Sequence, residues 1–314
     1  MRRTQIGPMR LTPDSAELPR SGDAAEVSVA QVRAVTRLLA ELQTSLIGTG
    51  VRVFGGRIDR FIIYTLAARV TGLSDAAAAA MVPTSAHGLA ASLDRPYETI
   101  RRHVNALIED GLCVRHGNRI HVTPEGLRRP RIAHLTRWAH DCFVRFVEDL
   151  SAAGEALPPP RCGTPYEMAN GVRTAVDIML AVLQTNRGKH AGWLDLILFS
   201  TLVAANCRHH PIDAAHSPAD RPVRALTVSR TIGVTPMTTN RHLSAMIGTG
   251  QLVRGPGGFR VNSLWLSHPA AQAVTDASLQ NVRRLLGALA AQGFPFDDPA
   301  SAYLGARPPF TAIR

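Results

Sequence analysis

The strongest constraint on this 314-residue chain is a pattern that it carries twice. Residues Glu98–Arg115 read ETIRRHVNALIEDGLCVR, and Thr238–Arg254 read TTNRHLSAMIGTGQLVR. In each copy an Arg-His pair is followed by apolar residues at helical spacing, a glycine ends the helix, and a short apolar strand closes on arginine. Arg241 minus Arg102 gives an offset of 139, which also lays Phe259–Val261 on Ile120–Val122 and Ala288–Gly293 on Asp149–Gly154. Upstream, Asp195–Leu202 matches Asp59–Leu66, and Leu180–Thr185 matches Leu39–Thr44. One register kept across helix, hairpin and trailing helix predicts a duplicated unit of about 140 residues.

Residues 1–25 are rich in Pro, Arg, Ser and Gly without a hydrophobic period and predict a disordered basic tail. The first unit is expected over 26–157, the second over 158–293, and a Pro-rich tail over 294–314, packed partly through Phe294 and Phe296. Within the first unit the spacing predicts a helix from Val27 to about Leu46, a break at Gly48, Gly50, Gly55 and Gly56, and a helix over Phe61–Ala68 capped by Asp59. The alanine run Ala76–Ala80 leads to a short helix capped by Thr84 or Ser85. A helix after Pro96 buries Ile100, Val104, Leu107 and Ile108, and a hairpin turns at His116-Gly-Asn118. Thr123 and Pro124 start another helix, which continues beyond Pro130 to Leu150.

A net charge of +11 and a pI of about 10.8, with arginine dominating the basic residues, point to a polyanionic partner. Forked guanidinium contacts tip that choice towards nucleic acid rather than an acidic lipid surface. Cys113, Cys142, Cys162 and Cys207 form no C-x-x-C pair, so neither a zinc finger nor a disulfide framework is indicated, and reduced thiols in a cytoplasm are expected. The apolar segment Trp193–Cys207 is too short to span a bilayer and is interrupted by Asp195, so no membrane partner is expected. The connector holding Cys207, His209, His210 and His216 follows no structural-zinc spacing; it reads as a solvated loop, with metal binding left open, and no cofactor is expected.

The run LDRPYETIRRHV over 93–104, the run LIEDGL over 107–112 and the run VTPEGL over 122–127 resemble the MarR family of bacterial transcription regulators. The resemblance implies a mainly α fold with small β wings: two winged helix-turn-helix units flanked by long helices in a pseudo-two-fold internal duplication. The second copy departs from it, with Thr239 in place of the apolar Ile100 and nothing like Thr-Pro-Glu-Gly after the hairpin. The hairpin also lacks the family's Asp-x-Arg pattern, which keeps IclR- and GntR-like regulators as possible relatives. Because MarR proteins dimerise through terminal helices and both units lie in one chain here, the resemblance implies a monomeric pseudo-dimer or a homodimer.

It further implies that one helix of each unit enters a major groove of double-stranded DNA while the wings hold phosphates. In the first unit Arg95, Tyr97, Glu98, Thr99, Arg101, Arg102 and Asn105 fall on that face, with Arg115 and Arg119 on the wing. In the second the face carries Met237, Thr238, Asn240, Arg241 and Ser244, with Arg254 and Arg260 on the wing. His103 and His242 are expected to pack against the helix pair. No Walker loop, G-x-S-x-G or H-E-x-x-H occurs, so enzyme activity is not expected. The expected role is a nucleoid-bound transcription regulator, with an unidentified small-molecule effector possible by analogy. A plasmid-type replication initiator and a protein-interaction module of a chromosome-organisation complex are the alternatives.

Overall fold

The computed structural model describes residues 29–71, 85–161, 163–207, 221–311 and 313. The tail over 1–25, the alanine run, Thr84, Cys162, His209, His210 and His216 lie outside them. The described chain is mainly helical with two small antiparallel hairpins. Its first half runs α1 (Val29–Val53), α2 (Ile58–Thr71), α3 (Ala86–Leu93), α4 (Tyr97–Glu109), β1 (Cys113–His116), β2 (Arg119–Val122), α5 (Pro124–Arg128) and α6 (Pro130–Ala152). The second runs α7 (Met168–Thr185), α8 (Trp193–Cys207), α9 (Ala225–Ile232), α10 (Pro236–Gly248), β3 (Leu252–Gly255), β4 (Gly258–Val261), α11 (Ser263–Leu266) and α12 (Pro269–Ala290).

Both ends of α9, α10, β3 and β4 lie 139 positions beyond those of α3, α4, β1 and β2, and α7 and α12 start 139 beyond α1 and α6. The hydrogen bonds between these elements recur too. Gly111 and Gly250 take positive φ values of 63° and 74°, which let the next residue reach back to Leu107 and Met246 carbonyls at 2.9 Å each. Thr123 donates its hydroxyl to Gly111 at 2.9 Å, and Asn262 donates its amide to Gly250 at 2.7 Å. Two unlike side chains therefore tie each hairpin's exit to the end of the preceding helix.

Helix starts follow local chemistry. Ser85 accepts from the Gly88 N–H at 3.0 Å, Thr123 from Gly126 at 2.9 Å, and Thr235 from Thr238 at 3.3 Å. Two expectations are corrected. Helix α1 does not break at Gly48 and Gly50 but runs through them, and a Cβ on Gly50 would come within 2.2 Å of the Phe61 ring. That glycine lets two helices approach, and the chain turns only at Gly55 and Gly56, where φ is 65° and 78°. Asp59 lies inside the first turn of α2 and accepts from Arg95 at 3.2 Å instead of capping the helix.

Two apolar clusters hold the molecule, and each draws on both halves. One joins α1, α6, α7 and α12 around Leu38, Leu42, Phe143, Ile178, Val282 and Leu286, and is sealed by Phe294 and Phe296. The other joins α2–α4 and the first hairpin to α8–α10 and the second, with Ile47 and Val51 of α1 between them. Each large side chain fully buried this way contributes about 1.5–3 kcal/mol.

The C-terminal stretch is fastened well beyond its two phenylalanines. Leu304 donates its N–H to Asp141 at 3.0 Å, Arg307 donates to Asp149 at 2.6 Å and also to Glu148, and Thr311 donates to Ser45 of α1 at 3.2 Å. Buried Arg145 donates to Pro308 O at 3.0 Å and Ser45 Oγ at 3.1 Å, and lies 4.4 Å from the centre of the Phe310 ring. Asp141 also binds His140, whose other ring nitrogen meets the Tyr166 hydroxyl at 2.9 Å, so one buried chain of bonds fixes α6, the α6–α7 link and the C-terminal stretch.

His190, 9% exposed, packs on Phe199 and Trp265, and burial pushes its pKa down to about 4. An unfolded histidine titrates near 6.5, so in this window the unfolded chain binds the extra proton. The stabilisation is complete above about pH 6.5 and is lost as pH falls towards 4, for a total of roughly 2–4 kcal/mol. In urea titrations at pH 7.5 and 4.5, His190→Leu is expected to lose that much less stability on acidification. An equal loss in both proteins removes His190 from the acid response.

Candidate nucleic-acid interface

Burial of Ile100, Val104 and Leu107, all 0% exposed, fixes which face α4 turns outward. Tyr97, Glu98, Arg101 and Arg102 are exposed, Thr99 and Asn105 half-buried. Their electrostatics are uneven. Glu98 takes a forked pair of bonds from Arg101 at 2.8 and 2.6 Å, and this contact holds its carboxyl below the usual range. Arg102 has no ion pair among the described residues. Asn105 accepts from Arg115 at 3.2 Å, joining β1 to α4, and Tyr97 stacks on His87 at 4.1 Å. Arg95 turns inward, bonded to Asp59 and 5.1 Å from the Trp193 ring centre. Arg119 stands exposed at the turn of the hairpin.

In α10, buried Thr239, Leu243 and Met246 orient the helix in the same way. Asn240, Arg241 and Ser244 are exposed, Met237 is 84% exposed, and Thr238 is half-buried with its hydroxyl 3.0 Å from that of Thr235. Arg254 lies over Phe259 with 5.6 Å to the ring centre, and Arg260 is half-buried. His103 is buried, which lowers its pKa. Its counterpart His242 meets Asp195 of α8 at 2.5 Å, so α10 is fastened to the helix behind it by a side-chain bond.

Thus the exposed arginines at equivalent positions of α4 and α10 are Arg102 and Arg241, and those of the hairpins are Arg115 and Arg254, while Arg101 is neutralised by a neighbour and Arg95 is bonded to Asp59. Sequence reasoning passed over Arg131, His134 and Arg137, exposed along α6, although their spacing by threes was visible. An effector is expected by analogy alone, and no residue pattern marks the apolar cavity of about 170 Å³ that lies between α2 and α7. Ile62, Leu66, Val172, Val176 and Met179 wall it, Arg173 lines it, and the ion pair of Arg69 with Asp177 links the two helices. Helix α1 lies along α8, whereas α7 and α2, which hold the corresponding places, stand apart and leave this space.

Among the described residues no cluster of three or more His, Cys, Asp or Glu could hold a metal, and no helix is long and apolar enough to cross a membrane. No protein-family model, curated protein or solved structure matches the chain.

Proposed function

We propose that the chain is a sequence-specific regulator of transcription that binds double-stranded DNA through two winged helix-turn-helix units, related by duplication and joined as a pseudo-dimer. Helices α4 and α10 serve as the recognition helices, the hairpins as wings, and the protein acts by binding rather than by catalysis. The observation that carries this reading is the recurrence, 139 positions apart, of an exposed arginine on the outer face of a helix ended by glycine and followed by a hairpin: Arg102 and Arg241. Arginine reads guanine through a forked contact, and the surrounding positive charge supplies phosphate affinity. Because Arg101 and Glu98 in α4 are replaced by Asn240 and Met237 in α10, the two half-sites differ in sequence.

The cavity between α2 and α7 supports an apolar effector. Its walls join the helix that packs against α4 to the helix bundle, so a ligand there would bias how the first unit is held. Selection from a random DNA pool, followed by anisotropy titration with and without small apolar acids, tests both parts. The expected outcome is one enriched asymmetric site whose affinity shifts with ligand. Binding that never prefers one sequence sinks the regulator reading; enrichment at iterated repeats with strand opening favours a replication initiator. Failure to retain DNA at modest salt favours a protein-interaction module.

A further inference from the structure

We infer that the first turns of α6 form an additional phosphate-gripping surface, which holds double-stranded DNA flanking the site on the side of the first unit. The inference rests on the DNA-binding reading above and adds a surface outside the two recognition helices and hairpins. Arg131, His134 and Arg137 follow one another every three residues, all exposed, and none makes an ion pair among the described residues. Buried Ile132 and Leu135 anchor the opposite side of the helix and hold this row outward. Six residues of helix rise about 9 Å, and successive phosphates of one strand advance about 3.4 Å along the duplex, so the row matches a short run of phosphates.

The duplication supplies an internal control. At the same offset of 139, α12 starts at an equivalent proline but carries Ala270, Ala273 and Asp276, and the counterparts of Ile132 and Leu135, Ala271 and Val274, are half-buried. The basic row is therefore a property of the first unit alone. The row is also continuous with the interface. Arg129, just before α6, sits against Gly111 at the end of α4, with its guanidinium 2.7 Å from where a glycine Cβ would stand. Arg115 and Arg119 stand exposed on the hairpin, while Arg128 on α5 is paired with Glu125 at 3.3 Å. An acidic protein would match the charge of the row, but this continuity and the net charge of +11 favour DNA.

The test compares a duplex trimmed to the selected site with duplexes lengthened by about one helical turn on either end, each titrated over a range of salt concentrations. The protein is expected to bind one lengthened duplex roughly tenfold tighter than the trimmed one, with a salt slope steeper by about 2 for two added arginine contacts. Arg131→Glu with Arg137→Glu is expected to abolish that increment while leaving the trimmed duplex bound as before. Equal affinity of the unaltered protein for trimmed and lengthened DNA, or an increment that survives in the variant, overturns the inference and leaves the regulator reading standing. Absence of sequence-preferring binding to any duplex overturns both.

Discussion

Replacing Arg102 and Arg241 together by alanine is expected to weaken binding to a selected duplex from roughly 30-fold to more than 10⁴-fold. A forked arginine contact to guanine discriminates by about 1–3 kcal/mol, and the two positions sit in separate units, so their effects should nearly add. Neither side chain supports the fold: both are exposed, and neither has an ion pair among the described residues. The melting temperature should therefore stay put. Arg101→Ala is expected to cost far less, because that guanidinium already spends its fork on Glu98. Anisotropy with the selected duplex reads the difference. Unchanged affinity and salt dependence in the double variant would remove the recognition role from both helices.

Deleting residues 303–314 is expected to destabilise the protein by about 3–5 kcal/mol, the usual cost of leaving a buried charge without its partners. The Arg145 side chain is 3% exposed and loses the Pro308 carbonyl and the Phe310 ring in this deletion, while Asp149 loses Arg307. The origin of the loss can be checked directly. Arg145→Met in the shortened chain fills the same space without a charge and should recover part of the stability in denaturant unfolding. A deletion costing under about 1 kcal/mol, or no recovery with methionine, would show that the terminal stretch merely covers the bundle.

The parts of the fold that were legible in the sequence are those governed by neighbours in the chain. Helical spacing in α4, glycine after α4 and α10, and Thr123 with Pro124 at the start of α5 each act within a turn or two, and the elements begin and end accordingly. Misreadings arose where a distant contact decides. Gly50 looks like a helix breaker until Phe61 is placed beside it, and Asp59 looks like a cap until Arg95 arrives from 36 residues away. The passage of α1 along α8, and the space it leaves between α2 and α7, depend on how two halves settle against each other. No local pattern encodes that. At the interface, apolar spacing alone sufficed to orient Arg102 and Arg241, but the diversion of Arg95 required the positions of Asp59 and Trp193.

The bond between Ser45 and Thr311 spans 266 residues and connects the first described helix to the last described turns of the chain. During translation at about 5–20 residues per second, that separation amounts to roughly 13–50 seconds. At the start of that interval the apolar stripe of α1 has neither α8, nor α12, nor the terminal stretch to cover it, and these arrive in that order. The cover over α1 is thus completed stepwise, and the bond from Thr311 to Ser45 can form only after both halves of the molecule have been made.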